Sequence, residues 1–183
     1  MNFRRLSWLP LAVLLLLAGC RAAGPERPAR TVAEFFNKYE KRSGFKATDW
    51  SAGLTTRLLL GRLGNLAGGS DLTEALTAVR GFRVITFAPT TGSAERLVAE
   101  GLVKEVDGLL ANEKYTPLAA SNAGTNMRYS VRQQGDRVSE MVAVSSVSGV
   151  PDSFMLMSVN GNFTRAQVDR LVKILPGVAD MSK

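Results

Sequence analysis

The spacing of apolar positions changes character along this 183-residue chain, and each change marks a predicted element. Leu6 to Ala18 is almost unbroken apolar sequence, and Arg21 to Arg30 has two prolines and no apolar period. Val32, Phe35, Phe36 and Tyr39 then recur at helical spacing. Thr31 and Glu34 form the capping-box pattern that opens this helix, and Gly44 stops it. Phe45 to Ser51 suits a short strand, and Leu54 to Leu63 a helix with Leu58, Leu59 and Leu63 inward. Asp71 and Glu74 offer a cap before a short helix to Val79. Gly81 to Ala88 reads as an interior strand covered on two sides, with Phe82 and Val84 on one face and Ile85 and Phe87 on the other. Ser93 is placed to cap a helix running to about Asn112, with Val98, Leu102, Val106, Leu109 and Leu110 as its buried stripe.

Beyond Asn112 the period becomes alternating. Tyr115 to Ala120 suits one strand and Asn126 to Gln133 another. In the second, Met127, Tyr129 and Val131 share a face opposite Arg128, Ser130 and Arg132. Gln134-Gly135-Asp136 turns the chain into a return strand over Arg137 to Val147. Phe154 to Asn160 is the last strand, apolar on both sides. Thr164 and Gln167 repeat the capping box, with Phe163 and Val168 at the staple positions. Val168, Leu171, Val172 and Leu175 face inward until Pro176-Gly177 ends the helix. This order predicts an α+β fold: a single mostly antiparallel sheet with helices packed mainly on one face.

The N-terminus carries the most specific signal. Arg4 and Arg5 precede an apolar run shorter than the roughly 20 residues needed to span a bilayer. The run closes on Leu17-Ala18-Gly19-Cys20, the plan of a bacterial lipoprotein signal peptide. Its resemblance to the lipobox implies cleavage between Gly19 and Cys20, a diacyl group on the Cys20 sulfur and acylation of the new amino terminus with a palmitate-type chain. Residues 1–19 are then the leader, 20–30 the lipidated cysteine and a Pro-rich tether, 31–176 one α+β domain and 177–183 a C-terminal tail. Extended at about 3.1 Å per residue, the tether reaches roughly 30 Å. Arg21, where inner-membrane lipoproteins usually carry Asp, points by analogy to the outer membrane, with the domain facing the periplasm.

Composition then narrows the chemistry. The chain has no histidine, which removes imidazole acid/base catalysis, His-containing triads and imidazole metal sites. Cys20 is the one cysteine, so no internal disulfide forms and thiolate metal chemistry has no ligand set. Neither a metal nor a cofactor is expected. The formal charge is +7, and +5 once Arg4 and Arg5 leave with the leader. In a secreted protein such a charge suits anionic lipid headgroups or an acidic envelope partner better than nucleic acid, while scattered Arg and Lys that simply solvate the surface account for it more readily still. The expected partners are therefore the membrane, through acylated Cys20, and an envelope protein.

Few residues suggest a reaction. Gly61, Gly64, Gly68 and Gly69 lack the Gly-Lys-Ser/Thr ending of a phosphate loop and read as an ordinary loop. A serine activated by lysine needs no histidine, which makes Ser93 with Lys104, or Ser43 with Lys46, candidates. Neither serine sits in a Gly-x-Ser-x-Gly elbow. Paired carboxylates for glycoside chemistry would come from Asp107, Glu113, Asp136 and Glu140, with Glu140 expected on an exposed strand face. Met141, Met155 and Met157 suit core filling. Two readings remain: a non-catalytic binding or interaction domain, or an envelope-polymer hydrolase using carboxylates or a Ser/Lys pair.

Three stretches carry a wider resemblance: Gly81-Phe82-Arg83-Val84-Ile85-Thr86-Phe87, the hairpin from Met127 through Val144 with Glu140 on its return strand, and Met157-Ser158-Val159-Asn160-Gly161-Asn162-Phe163. With the Phe35-Phe36-Asn37-Lys38-Tyr39 helix, they resemble the bacterial lipoproteins of domain-of-unknown-function family 4252 over roughly Thr31 to Leu175. The resemblance implies a lipid-anchored envelope domain without an assigned activity, and it transfers no functional residue.

Overall fold

The computed structural model describes residues 27–51, 70–119 and 126–181, with 51, 70–72 and 177–181 described by backbone alone. The leader, Gly19, Cys20, most of the tether, the Leu54–Leu63 helix and the Gly61–Gly69 loop lie outside the described residues. Along the chain come α1 (Val32–Tyr39), β1 (Phe45–Ser51), α2 (Ser70–Thr77), β2 (Val79–Phe87), α3 (Gly92–Ala99) and α4 (Leu102–Asn112). After them come β3 (Thr116–Pro117), β4 (Met127–Gln134), β5 (Arg137–Ser146), β6 (Phe154–Phe163) and α5 (Arg165–Met181). Among the described residues no helix is long and apolar enough to cross a membrane.

All six strands join one antiparallel sheet in the order β1-β2-β6-β5-β4-β3. The last strand, β6, lies at the centre between β2 and β5, so the pair β1–β2 and the meander β3–β6 meet along it. A central strand must be apolar on both faces, and β6 is buried from Phe154 to Val159. Phe154 and Leu156 enter one core with Ile85, Phe87, Val142 and Val144. Met155, Met157 and Val159 enter a second core with Val84, Met141 and Ala143.

The α+β class and the single antiparallel sheet match the sequence reading. The helices divide more evenly than the expectation of one principal face: α1, α3 and α4 close the first core, and α2 and α5 close the second. The two-sided apolar pattern of β2 and β6 requires this, since a bare apolar face would stay in contact with water.

Four local expectations change. The helix expected from Ser93 to Asn112 is two helices, broken where Gly101 takes a left-handed φ of +93°. Thr91 rather than Ser93 caps α3, its hydroxyl accepting the Ala94 N–H at 3.3 Å. The strand expected over Tyr115 to Ala120 pairs only at Thr116 and Pro117. Pro176 does not end α5, which continues to Met181. A helical proline leaves the carbonyl four residues earlier without its N–H partner. That carbonyl belongs to Val172, and it accepts the Tyr129 hydroxyl from the sheet at 3.4 Å.

The two capping boxes form as expected. Thr31 accepts the Glu34 N–H at 3.1 Å. Thr164 and Gln167 cap each other at 2.8 and 3.2 Å, over a staple of fully buried Phe163 and Val168. Packing also reaches back before Thr31: Ala29 is buried, and its N–H donates to Glu105 at 2.6 Å.

Candidate functional site

On the face covered by α1, α3 and α4, side chains change from aromatic to charged along the strand direction. The register fixes this gradient row by row. Phe45, Phe87 and Phe154 oppose one another on β1, β2 and β6, with ring centroids 4.7 Å apart for Phe45–Phe87 and 5.4 Å for Phe87–Phe154. The next row is Ala47, Ile85, Leu156 and Val144. Then come Asp49, Arg83, Ser158 and Val142, and last Asn160, Glu140 and Arg132. Cross-strand neighbours lie about 5 Å apart, so the last row places amide, carboxylate and guanidinium side by side.

Arg132 is the centre of that row. Its Nη1 donates to Glu113 at 2.9 Å and its Nη2 to Glu140 at 2.6 Å. The second Glu140 oxygen accepts the Ser158 hydroxyl at 2.6 Å, and Asn160 donates to Ser158 at 3.3 Å. The second Glu113 oxygen accepts the Val32 N–H, the first amide of α1, at 2.6 Å. A carboxylate is stabilised there by the unpaired amides and dipole of a helix start. The Glu140 side chain is only 7% exposed and Arg132 is 41% exposed, so the pair spans from the interior to the surface.

Burial pushes the Tyr115 hydroxyl far above its ordinary range, and the neighbouring Glu140 and Glu113 charges push the same way against the opposing pull of Arg132. The hydroxyl faces Glu140 but completes no well-formed hydrogen bond. On the other flank Arg83 pairs with Asp49 at 2.8 Å and lies 4.6 Å over the Phe36 ring. Between Arg83, Arg132, Asn160 and the start of α1 is a cavity of about 330 Å³. That volume falls at the small end of the range for small-molecule pockets.

The sheet is irregular at this end. Register shifts occur between Val79 and Gly81, between Arg132 and Gln133, and between Val138 and Glu140. A bulge inserts one residue and re-aims the side chains beyond it. Val138 belongs to the core under α5, and an unbroken strand would send Glu140 to the same face. The shift turns Glu140 to the opposite face, against Arg132 and Ser158.

A wider groove of about 840 Å³ runs on the same side of the sheet, between α1 and the α3–α4 pair. Lys38, Arg42, Arg96 and Lys104 line it, with Glu100 and Glu105. Glu105 is fully engaged by Lys38 at 3.2 Å, the Tyr39 hydroxyl at 2.9 Å and the Ala29 N–H.

The candidates from sequence divide clearly. Glu113 and Glu140 come together on Arg132. Asp107 instead pairs with Arg128 at 3.0 Å, and Asp136 is exposed in the β4–β5 turn. Ser93 and Lys104 share the wide groove, but Ser93 bonds to Thr91 at 3.0 Å, as does Ser43. Among the described residues neither serine is hydrogen-bonded to a lysine. Met141, Met155 and Met157 are buried in the core under α5. Sequence reasoning misses Arg132, Arg83, Ser158, Asn160 and Tyr115 as site residues. The available signal is the alternation that sets Arg128, Ser130 and Arg132 on one face of an otherwise apolar strand.

The family model described as "Domain of unknown function (DUF4252)" matches residues 51–171 of the chain. That span includes the whole charged row and excludes α1, which covers it. Neither a curated protein nor a solved structure matches the chain.

Proposed function

The chain belongs to the DUF4252 family, and from that premise we infer a lipid-anchored protein of the bacterial cell envelope whose domain binds a ligand or partner without catalysing a reaction. The observation that carries the non-catalytic reading is the state of the two converging carboxylates. Each of their four oxygens already accepts a donor: Val32 N–H and Arg132 on Glu113, Arg132 and Ser158 on Glu140. A general acid or base here would meet a reacting proton only on an oxygen already tied to Arg132, Ser158 or the start of α1, which disfavours that role. Arg83, Arg132 and Asn160 line the cavity beside Glu113 and Glu140, a mix of donors and acceptors suited to recognition. Anchoring rests on the Leu17-Ala18-Gly19-Cys20 segment, and Arg21 favours the outer membrane with the domain in the periplasm.

The convergence of Glu113 and Glu140 is also what favours a hydrolase, so one experiment addresses both readings. The natural protein is purified from its membrane, and the mass of its first peptide is measured. The expected result is an acylated Cys20 at the N-terminus. The same preparation is incubated with peptidoglycan and envelope polysaccharide. No release of fragments is expected; release that disappears in Glu140→Gln would replace binding by hydrolysis. Crosslinking in intact cells is expected to capture a repeatable partner that Asn160→Ala weakens. Failure to capture one across repeated trials would count against the interaction reading.

A further inference from the structure

We propose that the wide groove between α1 and the α3–α4 pair is the face by which the domain settles on anionic phospholipid headgroups of the bilayer that holds its own anchor. This rests on the anchoring of Cys20 inferred above and adds an orientation that anchoring alone does not supply.

The first observation is where the chain enters the domain. The Arg27 carbonyl accepts the Lys38 ammonium at 2.9 Å, and Pro28 and Ala29 form part of the groove wall. Only six residues, and so seven Cα–Cα steps, separate Arg27 from Cys20. Fully extended at about 3.5 Å each, they span at most about 25 Å. This is shorter than the reach of a tether that runs free to Arg30. The groove wall is therefore the part of the described fold held nearest to the acylated residue.

The second observation is charge. Four cations and two carboxylates line the groove. Glu105 is consumed by Lys38, Tyr39 and Ala29, and Arg42 lies over the Tyr39 ring, which leaves Arg96 and Lys104 against Glu100. Arg96 and Lys104 are exposed and make no ion pair among the described residues. The groove hydroxyls of Ser43 and Ser93 add neutral hydrogen-bonding groups beside these cations. Phosphodiester headgroups are anionic and accept such bonds. Basic residues within a Debye length of an anionic surface are drawn to it, and at physiological salt that length is about 8 Å. A tether of at most about 25 Å lets the groove come within this range of the surface.

The test uses the full mature lipoprotein, reconstituted in vesicles of phosphatidylcholine alone or with about 30% phosphatidylglycerol added. Amine acetylation of Lys104 is followed by mass spectrometry. The rate is expected to fall about fivefold in the anionic vesicles, and to recover in about 0.5 M salt. Arg96→Glu should abolish most of this protection, whereas Arg96→Lys should keep it. Circular dichroism of the variants reports whether they remain folded. Equal acetylation of Lys104 in both vesicle types, in a chain whose mass shows acylated Cys20, would overturn the groove proposal and leave anchoring intact. A bare Cys20 would instead overturn the anchoring on which it rests. Protection seen only in native membranes, and absent from protein-free anionic vesicles, would assign the groove to a protein and overturn the lipid assignment.

Discussion

The two faces of the sheet use the same strands and end differently. Under α5 the rows stay apolar: Val84, Met141, Ala143, Met157 and Val159 meet Val168, Leu171 and Val172 of the helix. Under α1 and α4 the rows begin with three phenylalanines and end with Asn160, Glu140 and Arg132. The 840 Å³ groove and the 330 Å³ cavity both lie on that second face. A buried ion pair is weak evidence for stability, because desolvation offsets most of its attraction. Methionine and valine would have closed the Arg132 end as they closed the opposite face. One side of the sheet is sealed and the other keeps charges inside, and the recognition proposed above uses the unsealed side.

Deleting an aromatic ring on each face measures whether the difference is confined to the charged end. Phe87→Ala and Phe163→Ala remove fully buried rings from opposite faces, and each is expected to cost about 3–5 kcal/mol in urea unfolding. Matching losses would show that the aromatic end of the site face is as well packed as the sealed face. A Phe87→Ala cost under about 1 kcal/mol would break the comparison.

The charged end is tested next. Arg132→Leu strands the Glu140 carboxylate in a nearly buried position and is expected to cost about 3 kcal/mol. Adding Glu140→Leu should recover at least half of that, since an apolar pair of similar volume replaces the ion pair. A double variant less stable than the single one would mean that the charges stabilise the fold, and are not retained chiefly for recognition.

The smallest effect comes from Tyr115→Phe. Its hydroxyl completes no hydrogen bond, so the loss at neutral pH is expected to stay below about 1 kcal/mol. The pH dependence sharpens the assignment. The folded state holds the Tyr115 proton to higher pH than the unfolded chain, where tyrosine ionises near 10. This contribution is fully present below pH 10 and is lost as the pH rises beyond it, by about 1.4 kcal/mol per unit. Thermal unfolding from pH 9 to 11 should therefore decline less steeply in Tyr115→Phe than in the natural chain. Identical slopes would place the Tyr115 hydroxyl in water rather than against Glu140.

Much of the scaffold is legible in the sequence. Period-two alternation places Tyr129 and Val131 opposite Arg128 and Arg132, and the two capping boxes locate the starts of α1 and α5. The apolar residues of β2 and β6 point both ways, but the expectation of helices mainly on one face does not use that signal, and three helices close one core and two the other. The local features that escape the sequence depend on distant partners. Pro176 lies inside its helix, the Tyr129 hydroxyl of the sheet donates to the Val172 carbonyl one turn earlier, and no neighbour in sequence announces that contact. An unbroken strand would place Glu140 beside Val138 under α5, and the bulge after Val138 turns it to the other face.

The sequence alone determined most of the elements and the α+β class, because periodicity, capping and residue type are local properties. It also carried the N-terminal signal on which the inferred anchoring depends. Only the tertiary structure decided that Glu113 and Glu140, 27 residues apart in the chain, would share Arg132. That meeting is set by strand register, by a bulge and by the seating of α1 over the sheet. Each of these is fixed by packing between segments far apart along the chain, which a one-dimensional pattern does not specify.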